Sequence, residues 1–170
     1  YSICLTDRGP YDYAKAVRMI DPKKRELSFD IMVEDLNNEE FYIDINNKIG
    51  RAIISLNFKK NGQVDLKTSP NRLINQFFIS KNEWNSFKIK FNFKLSIVEV
   101  NCGDFNKKIK IDFSENLYPN RVEFRTGKYR MNRKIQEYKS GDQKLPGFDE
   151  RNSEVQISPT IVYIDNIFSN

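Results

Sequence analysis

The chain of 170 residues contains no histidine. Histidine is the side chain most often used as a general base near neutral pH and the commonest ligand of transition metals. Its absence excludes Ser–His–Asp and Cys–His mechanisms, and imidazole-bound zinc with them. The longest apolar run, Ile161 to Ile164, is far shorter than the roughly 20 residues that a membrane-spanning helix needs. We therefore expect no membrane span.

Cysteine is also scarce. The two cysteines, Cys4 and Cys102, are too few for a disulfide scaffold. They would pair if the N-terminal strand lay beside the strand that ends at Val100. Two half-buried free thiols are the favoured reading of the sequence.

The charge is dilute. Lysine and arginine total 28 against 23 acids, a net charge of +5. This balance does not require a nucleic-acid partner, although it favours an acidic ligand. The length suits one domain over residues 1–170, and folding would bury roughly 70% of the surface that the unfolded chain exposes.

Residues 84–103 predict two strands joined by a tight reversal. From Phe87 to Phe93 every second residue is apolar, and the residues between them are lysine or asparagine. Alternation of this kind places the two classes on opposite faces of a strand, as in a sheet that is covered on one side. Because the lysines and the aromatic rings point apart, the segment does not form a basic and aromatic platform for nucleic acid.

Similar alternation recurs along the chain, and no long helix is predicted. Asn61-Gly62 between alternating segments predicts a hairpin, and Tyr13–Ile20 fits a short helix or a strand and turn about equally well. The remaining predicted strands are Glu26–Glu34, Phe41–Ile45, Ile54–Phe58, Val64–Leu66, Ile109–Phe113, Val122–Phe124 and Ile161–Ile167. Some ten to twelve short strands predict an all-β, two-sheet antiparallel jelly-roll sandwich. Residues 127–158 alternate poorly, and a loop of that length is usually functional.

Several motifs resemble known jelly rolls. The segments Glu83–Phe91, Ser96–Gly103 and Val162–Ile167 are similar to strands of concanavalin A-like and laminin-G-like domains. Three further segments resemble the accessory jelly roll of bacterial polysaccharide-degrading proteins that carry a sialidase-like β-propeller: Gly9–Arg18, Phe124–Arg130 and Leu145–Asp149.

That resemblance implies a non-catalytic module beside a glycan-processing domain. Its partners would be a polysaccharide or oligosaccharide and the neighbouring domain of the same protein. The expected location is extracytoplasmic: secreted, periplasmic or on the cell surface. A chain that begins with Tyr1 instead of methionine is expected to be a mature or excised piece.

The candidate carbohydrate-binding residues are Arg125, Tyr129, Arg130 and Arg133, flanked by lysines at 128 and 134. A guanidinium binds a carboxylate or sulfate through two hydrogen bonds, and an aromatic face stacks on a sugar ring. This combination favours an acidic glycan. The alternative is a solvated basic loop in which Tyr129 packs underneath or against an adjoining domain.

Two enzymatic readings compete with binding. The Arg125 to Arg130 stretch also resembles jelly-roll polysaccharide lyases, in which Tyr129 would be the base and Arg125 would stabilise the enolate during β-elimination of a uronic-acid glycan. Those lyases commonly add a histidine, which this chain lacks, and an unperturbed tyrosine with a pKa of about 10 is a poor base. Glycoside hydrolysis is weaker still, because no strand carries the paired acids of jelly-roll hydrolases.

We predict no cofactor, with a structural calcium ion as the exception to be tested. Its ligand would be Asp165, with Asp7 and Asp12 as remote partners, whereas calcium takes six to eight oxygens. Trp84 is predicted to pack at an edge or in the core, because it opens a strand, and stacking on a sugar ring is the alternative.

Overall fold

The computed structural model describes residues 2–7, 14–36, 40–69, 71–113, 118–127 and 160–170. Twelve strands run through them: β1 (Ile3–Asp7), β2 (Lys15–Met19), β3 (Glu26–Asp35), β4 (Phe41–Asn46), β5 (Ala52–Phe58), β6 (Gln63–Thr68), β7 (Arg72–Phe78), β8 (Trp84–Asn92), β9 (Ile97–Cys102), β10 (Phe105–Lys110), β11 (Arg121–Thr126) and β12 (Thr160–Ser169). No helix occurs in the described part.

The strands form two antiparallel six-stranded sheets. The first sheet has the order β1-β12-β3-β8-β9-β10, and the second has the order β2-β11-β4-β5-β6-β7. Neighbours in each sheet are distant in sequence at the jelly-roll crossovers, such as β11 between β2 and β4. The predicted all-β, two-sheet sandwich is confirmed.

Phenylalanine rings join the sheets at the centre of the core. Phe29 on β3 stacks on Phe87 of β8 at 5.3 Å and meets Phe124 of β11 edge-to-face at 5.5 Å. Phe58 of β5 also meets Phe87 edge-to-face, at 5.8 Å. Offset and edge-to-face pairs stabilise a core beyond the effect of area alone. All four rings are fully buried.

The predicted hairpin of residues 84–103 is present as β8 and β9. Phe87 pairs with Cys102 and Phe91 with Val98, and all four side chains point into the core. Trp84 lies an odd number of positions from Phe87 and therefore points to the opposite face of the strand. Its side chain lies on the outer face of the first sheet, 47% exposed, and does not join the core.

Three strands differ from the sequence prediction. Residues 15–19, ambiguous between helix and strand, form β2 at the edge of the second sheet. The strand predicted at Ile109–Phe113 instead spans Phe105–Lys110. Strand β7 was not predicted, because its apolar residues keep no simple alternation. In the structure, a register shift between Leu66 and Lys67 also interrupts its pairing with β6.

The Asn61-Gly62 hairpin prediction is confirmed. The Lys59 amide donates to the Gln63 carbonyl at 2.8 Å, and Gly62 has a φ of 82°. A side chain at Gly62 would place its Cβ 3.0 Å from the Ile79 carbonyl oxygen. Glycine is therefore required here by both backbone conformation and space.

The two cysteines are not bonded. Cys4 is exposed on β1, and Cys102 is buried on β9. Three strands, β12, β3 and β8, lie between β1 and β9 in the first sheet, so the condition for pairing is not met, and the favoured interpretation of two free thiols is confirmed. Burial raises the pKa of the Cys102 thiol to about 11.

Candidate functional site

The outer face of the second sheet carries a polar side chain on every strand at one register. We name these six residues the first polar row, in order across the sheet: Lys15, Arg125, Tyr42, Asn57, Asp65 and Gln76. The row follows from alternation, because the neighbouring residues of each central strand point into the core. It crosses the sheet from edge to edge.

A second row lies beside the first, with polar residues on the four central strands and apolar residues on the two edge strands. Its members are Val17, Glu123, Asp44, Ser55, Lys67 and Leu73. Four charged groups of the two rows are almost fully buried: Asp44 is 4% exposed, Asp65 is 5%, Glu123 is 1% and Arg125 is 5%. Charges at that depth must be paired, because an unpaired charge is costly away from water.

Arg125 shows how the pairing is achieved. Its Nε and Nη2 each lie 3.1 Å from Asp44 Oδ2, and its Nη1 donates to the Gly127 carbonyl. The guanidinium also lies over the Tyr42 ring, 4.0 Å from the centroid. Arg125 therefore holds internal partners on three sides.

The other sequence-predicted site residues, Tyr129, Arg130 and Arg133, lie outside the described residues, as do the flanking lysines. Their convergence with Arg125 on one groove remains a prediction. Within the described part, the tyrosine beside Arg125 is Tyr42, on β4.

Tyr42 belongs to a small, partly buried network with Glu40 and Asn57. The Tyr42 hydroxyl donates to Glu40 Oε2, and Asn57 Nδ2 donates to the same oxygen at 3.1 Å. Burial, together with the hydrogen bond to the Glu40 carboxylate, raises the pKa of Tyr42 well above its usual value. Tyr42 thus stays protonated, which makes it a poor base for β-elimination. Asn57 Oδ1 is buried with no hydrogen-bond partner.

Asp65 organises the other end of the first polar row. Its carboxylate accepts hydrogen bonds from Gln63 Nε2 at 2.8 Å and Gln76 Nε2 at 2.7 Å, and Lys59 Nζ lies 2.8 Å away. Burial opposes the charge, but these three donors outweigh it and lower the pKa of Asp65. Next to this cluster, Phe78 pairs with Gln63 and is 70% exposed. An aromatic ring therefore stands open to solvent at the edge of a polar face.

These residues were not singled out from the sequence. Phe78 and Gln76 lie on the strand that was missed, and Tyr42 and Asn57 lie on predicted strands whose outward residues look like an ordinary solvated face. The available signal was the polar alternation of Tyr42, Asp44 and Asn46 between buried residues of β4.

The carboxylates considered for calcium serve other contacts. Asp165 accepts from Ser2 Oγ at 3.0 Å and from the Asn166 amide at 2.7 Å. Asp7 Oδ2 accepts from Thr126 Oγ1 at 2.8 Å, and Asp12 lies outside the described residues. No group of three or more acidic or cysteine side chains suited to a metal ion occurs in the described ranges. The calcium site remains a prediction.

Among the described residues, no helix is long and apolar enough to cross a bilayer.

Comparison with known proteins agrees with the fold. The profile of a family described as "Sialidase-like, CBM domain" matches residues 2–138. A solved structure named "Sialidase" superposes with a TM-score of 0.77 at 19% identity, covering 99% of this chain and 15% of that one. This chain thus spans only a small part of that protein's length. No curated protein sequence matches the chain.

Two solved enzymes share the fold at lower similarity. Alginate lyase A1-II′, a member of polysaccharide lyase family 7, has a TM-score of 0.62 at 9% identity, covering 99% of this chain and 78% of that one. A GH131 β-glucanase catalytic domain from Podospora anserina has a TM-score of 0.56 at 10% identity, covering 99% of this chain and 70% of that one. Identities this low show the fold alone.

Proposed function

This chain belongs to the sialidase-like CBM domain family, and on that premise we propose that it is a non-catalytic jelly-roll module that contacts glycan within a larger, extracytoplasmic polysaccharide-processing protein. The family supports association with carbohydrate. The small share of the sialidase that the chain covers supports a place beside other domains. We extend the proposal to residues 1–170 as one jelly-roll unit.

The observation that supports the proposal most directly is the solvent-exposed Phe78 at the edge of the polar face. Phe78 is exposed beside Gln63 and Gln76, whose amide groups are oriented by hydrogen bonds to Asp65. A sugar ring presents an apolar C–H face and a rim of hydroxyl groups. An aromatic ring with fixed amides beside it matches both parts of that surface.

The non-catalytic part of the proposal is supported by the ion pairs of the buried carboxylates. In the described residues, Asp44 is paired with Arg125, Asp65 with Lys59, and Glu123 with Lys15 at 2.7 Å. A general acid or base needs a proton to exchange near neutral pH. These three carboxylates are almost fully buried against their cations, so none is placed to exchange a proton with a ligand.

Preference for an acidic glycan is the finer part of the proposal. It depends chiefly on Arg130, Arg133 and the neighbouring lysines, since Arg125 already holds Asp44 and the Gly127 carbonyl. The panel of ligands should therefore include neutral polysaccharides and uronic-acid polysaccharides in equal number.

Affinity gel electrophoresis tests the polar face. Retardation by at least one polysaccharide should be lost or weakened several-fold in Phe78→Ala. The matched control is Phe168→Ala, which removes a ring that is 56% exposed on the first sheet. Equal loss in both variants, or no retardation of the unmodified chain, would reject glycan contact by this face and leave a brace for the neighbouring domain.

The lyase alternative has its own readout. Incubation with the uronic-acid polysaccharides, followed by absorbance of the unsaturated product, should give no signal. Product formation that is lost in Tyr129→Phe would overturn the non-catalytic assignment.

A further inference from the structure

A line of aromatic and apolar side chains crosses the outer face of the first sheet. Four residues at one register on β1, β12, β3 and β8 form it, in the order Cys4, Tyr163, Met32 and Trp84. We name them the aromatic row. Trp84 is 47% exposed and Cys4 is exposed, while Met32 and Tyr163 are half-buried. The row lies on the opposite side of the sandwich from Phe78.

Acidic side chains border the aromatic row on both sides. On one side Asp165 pairs with Asp30, where Ser2 Oγ donates to Asp165 at 3.0 Å and Asn166 Nδ2 donates to Asp30 at 2.6 Å. On the other side Glu34 accepts a hydrogen bond from the Tyr163 hydroxyl, which raises the pKa of Tyr163. The apolar strip is therefore narrow: Ile161 adds one outward apolar side chain beside Tyr163 on β12, and carboxylates flank Met32 on both sides along β3.

The dimensions favour a linear ligand over a protein partner. Four neighbouring strands at about 4.8 Å spacing make the row roughly 14 Å long. A stable protein interface needs about 800 Å² from each partner and an apolar centre. One line of side chains bounded by solvated carboxylates does not provide that centre. A chain of sugar rings lying across the strands needs no more than a line.

The carboxylates beside the aromatic row indicate which class of sugar would bind there. Carboxylates accept hydrogen bonds from hydroxyl groups, and they repel carboxylate or sulfate groups. Trp84 and Tyr163 are two strands apart, roughly 10 Å, which leaves room for two rings of one oligosaccharide to stack on the two side chains. We propose that the aromatic row is a second carbohydrate-binding site that takes a neutral, linear oligosaccharide.

The chain supplies two reporters at this site. Trp84 is the single tryptophan of the sequence, so tryptophan fluorescence reports on the row alone. Cys4 is the exposed thiol, whereas Cys102 is buried. Neutral cello-, manno- and xylo-oligosaccharides should shift the Trp84 emission and slow the reaction of Cys4 with an aromatic disulfide reagent. Oligogalacturonate should do neither.

Variants separate this site from the polar face. Tyr163→Ala should weaken the neutral-sugar titration roughly tenfold, the loss expected when one of two stacking rings is removed. Phe168→Ala, an exposed ring on the same face outside the row, and Phe78→Ala on the other sheet should leave it unchanged. Circular dichroism of each variant should match that of the parent, which excludes misfolding as the cause.

Three results would overturn the inference. The first is a Trp84 response to oligogalacturonate but to no neutral sugar. The second is a neutral-sugar response that survives Tyr163→Ala. The third is a sugar-independent Trp84 shift that grows with protein concentration together with dimer formation in sedimentation, which would make the row a protein contact. Because the Phe78 test reads the other sheet, either site can fail without the other.

Discussion

Replacing Arg125 by alanine should destabilise the fold itself. The guanidinium is 5% exposed and two of its nitrogens lie 3.1 Å from Asp44 Oδ2. In Arg125→Ala the Asp44 carboxylate keeps the Ser55 hydroxyl, which donates to its other oxygen, but loses its cation. Removing one partner of a buried ion pair costs about 3–5 kcal/mol, because the remaining charge is desolvated and unpaired.

Two further variants test whether the loss of stability comes from the unpaired Asp44 charge. Arg125→Lys keeps the positive charge but lacks the planar fork that meets Asp44 and the Gly127 carbonyl together, so we expect a smaller loss of about 1–2 kcal/mol. The double variant Arg125→Met with Asp44→Leu removes both charges. It should recover at least half of the stability lost in Arg125→Ala, because no buried charge is left unpaired.

Urea denaturation followed by circular dichroism at neutral pH measures all four proteins. The reasoning is refuted if Arg125→Ala loses less than about 1 kcal/mol, the value expected of an exposed charge pair. A small loss of stability combined with loss of glycan retention would instead assign Arg125 to the ligand, as the sequence suggested.

Two other predictions concern single positions. The folded state lowers the pKa of Asp65. Its stabilising charge is therefore present above the unfolded pKa of about 3.9 and is lost as pH falls through the lower folded value. The free energy of unfolding should drop less between roughly pH 5 and pH 2 in Asp65→Asn than in the parent, and equal slopes would contradict the lowered pKa. Gly62→Ala should cost more than Gly103→Ala in thermal unfolding. Both glycines have positive φ, but a Cβ at Gly62 meets a carbonyl oxygen at 3.0 Å and a Cβ at Gly103 meets nothing within 4 Å; the opposite ranking would refute the steric argument.

The fold was predictable because most strands of this sandwich are covered on one face only. Over Glu26–Glu34 in β3 and Ser86–Asn92 in β8, buried residues alternate with partly or fully exposed ones, so their parity fixes which side chains form the core. The same reasoning fails at the edges of the second sheet. In β2 the apolar residues Val17 and Met19 point outward and are exposed, so alternation there carries little information about burial.

The candidate sites were less predictable because they depend on strand order. Arg125 and Asp44 are 81 residues apart and meet because β11 pairs with β4. A single sequence shows that each residue points outward on its strand, but it does not show which strand lies alongside. Trp84 gives the opposite case: its parity relative to Phe87 indicates the outer face, where the structure places it, so the prediction of edge or core packing gave too little weight to alternation.

Net charge misleads for a related reason. The excess of +5 favours an acidic ligand only if the cations reach solvent. On the second sheet, Arg125 and Lys15 bind the buried Asp44 and Glu123, and on the first sheet carboxylates border the aromatic row. Arg125 and Lys15 are therefore engaged by internal carboxylates, and their charge is not available in full to an acidic ligand. Binding of an acidic glycan by residues 128–134 would weaken with added salt, whereas stacking of a neutral sugar on Trp84 and Tyr163 would not.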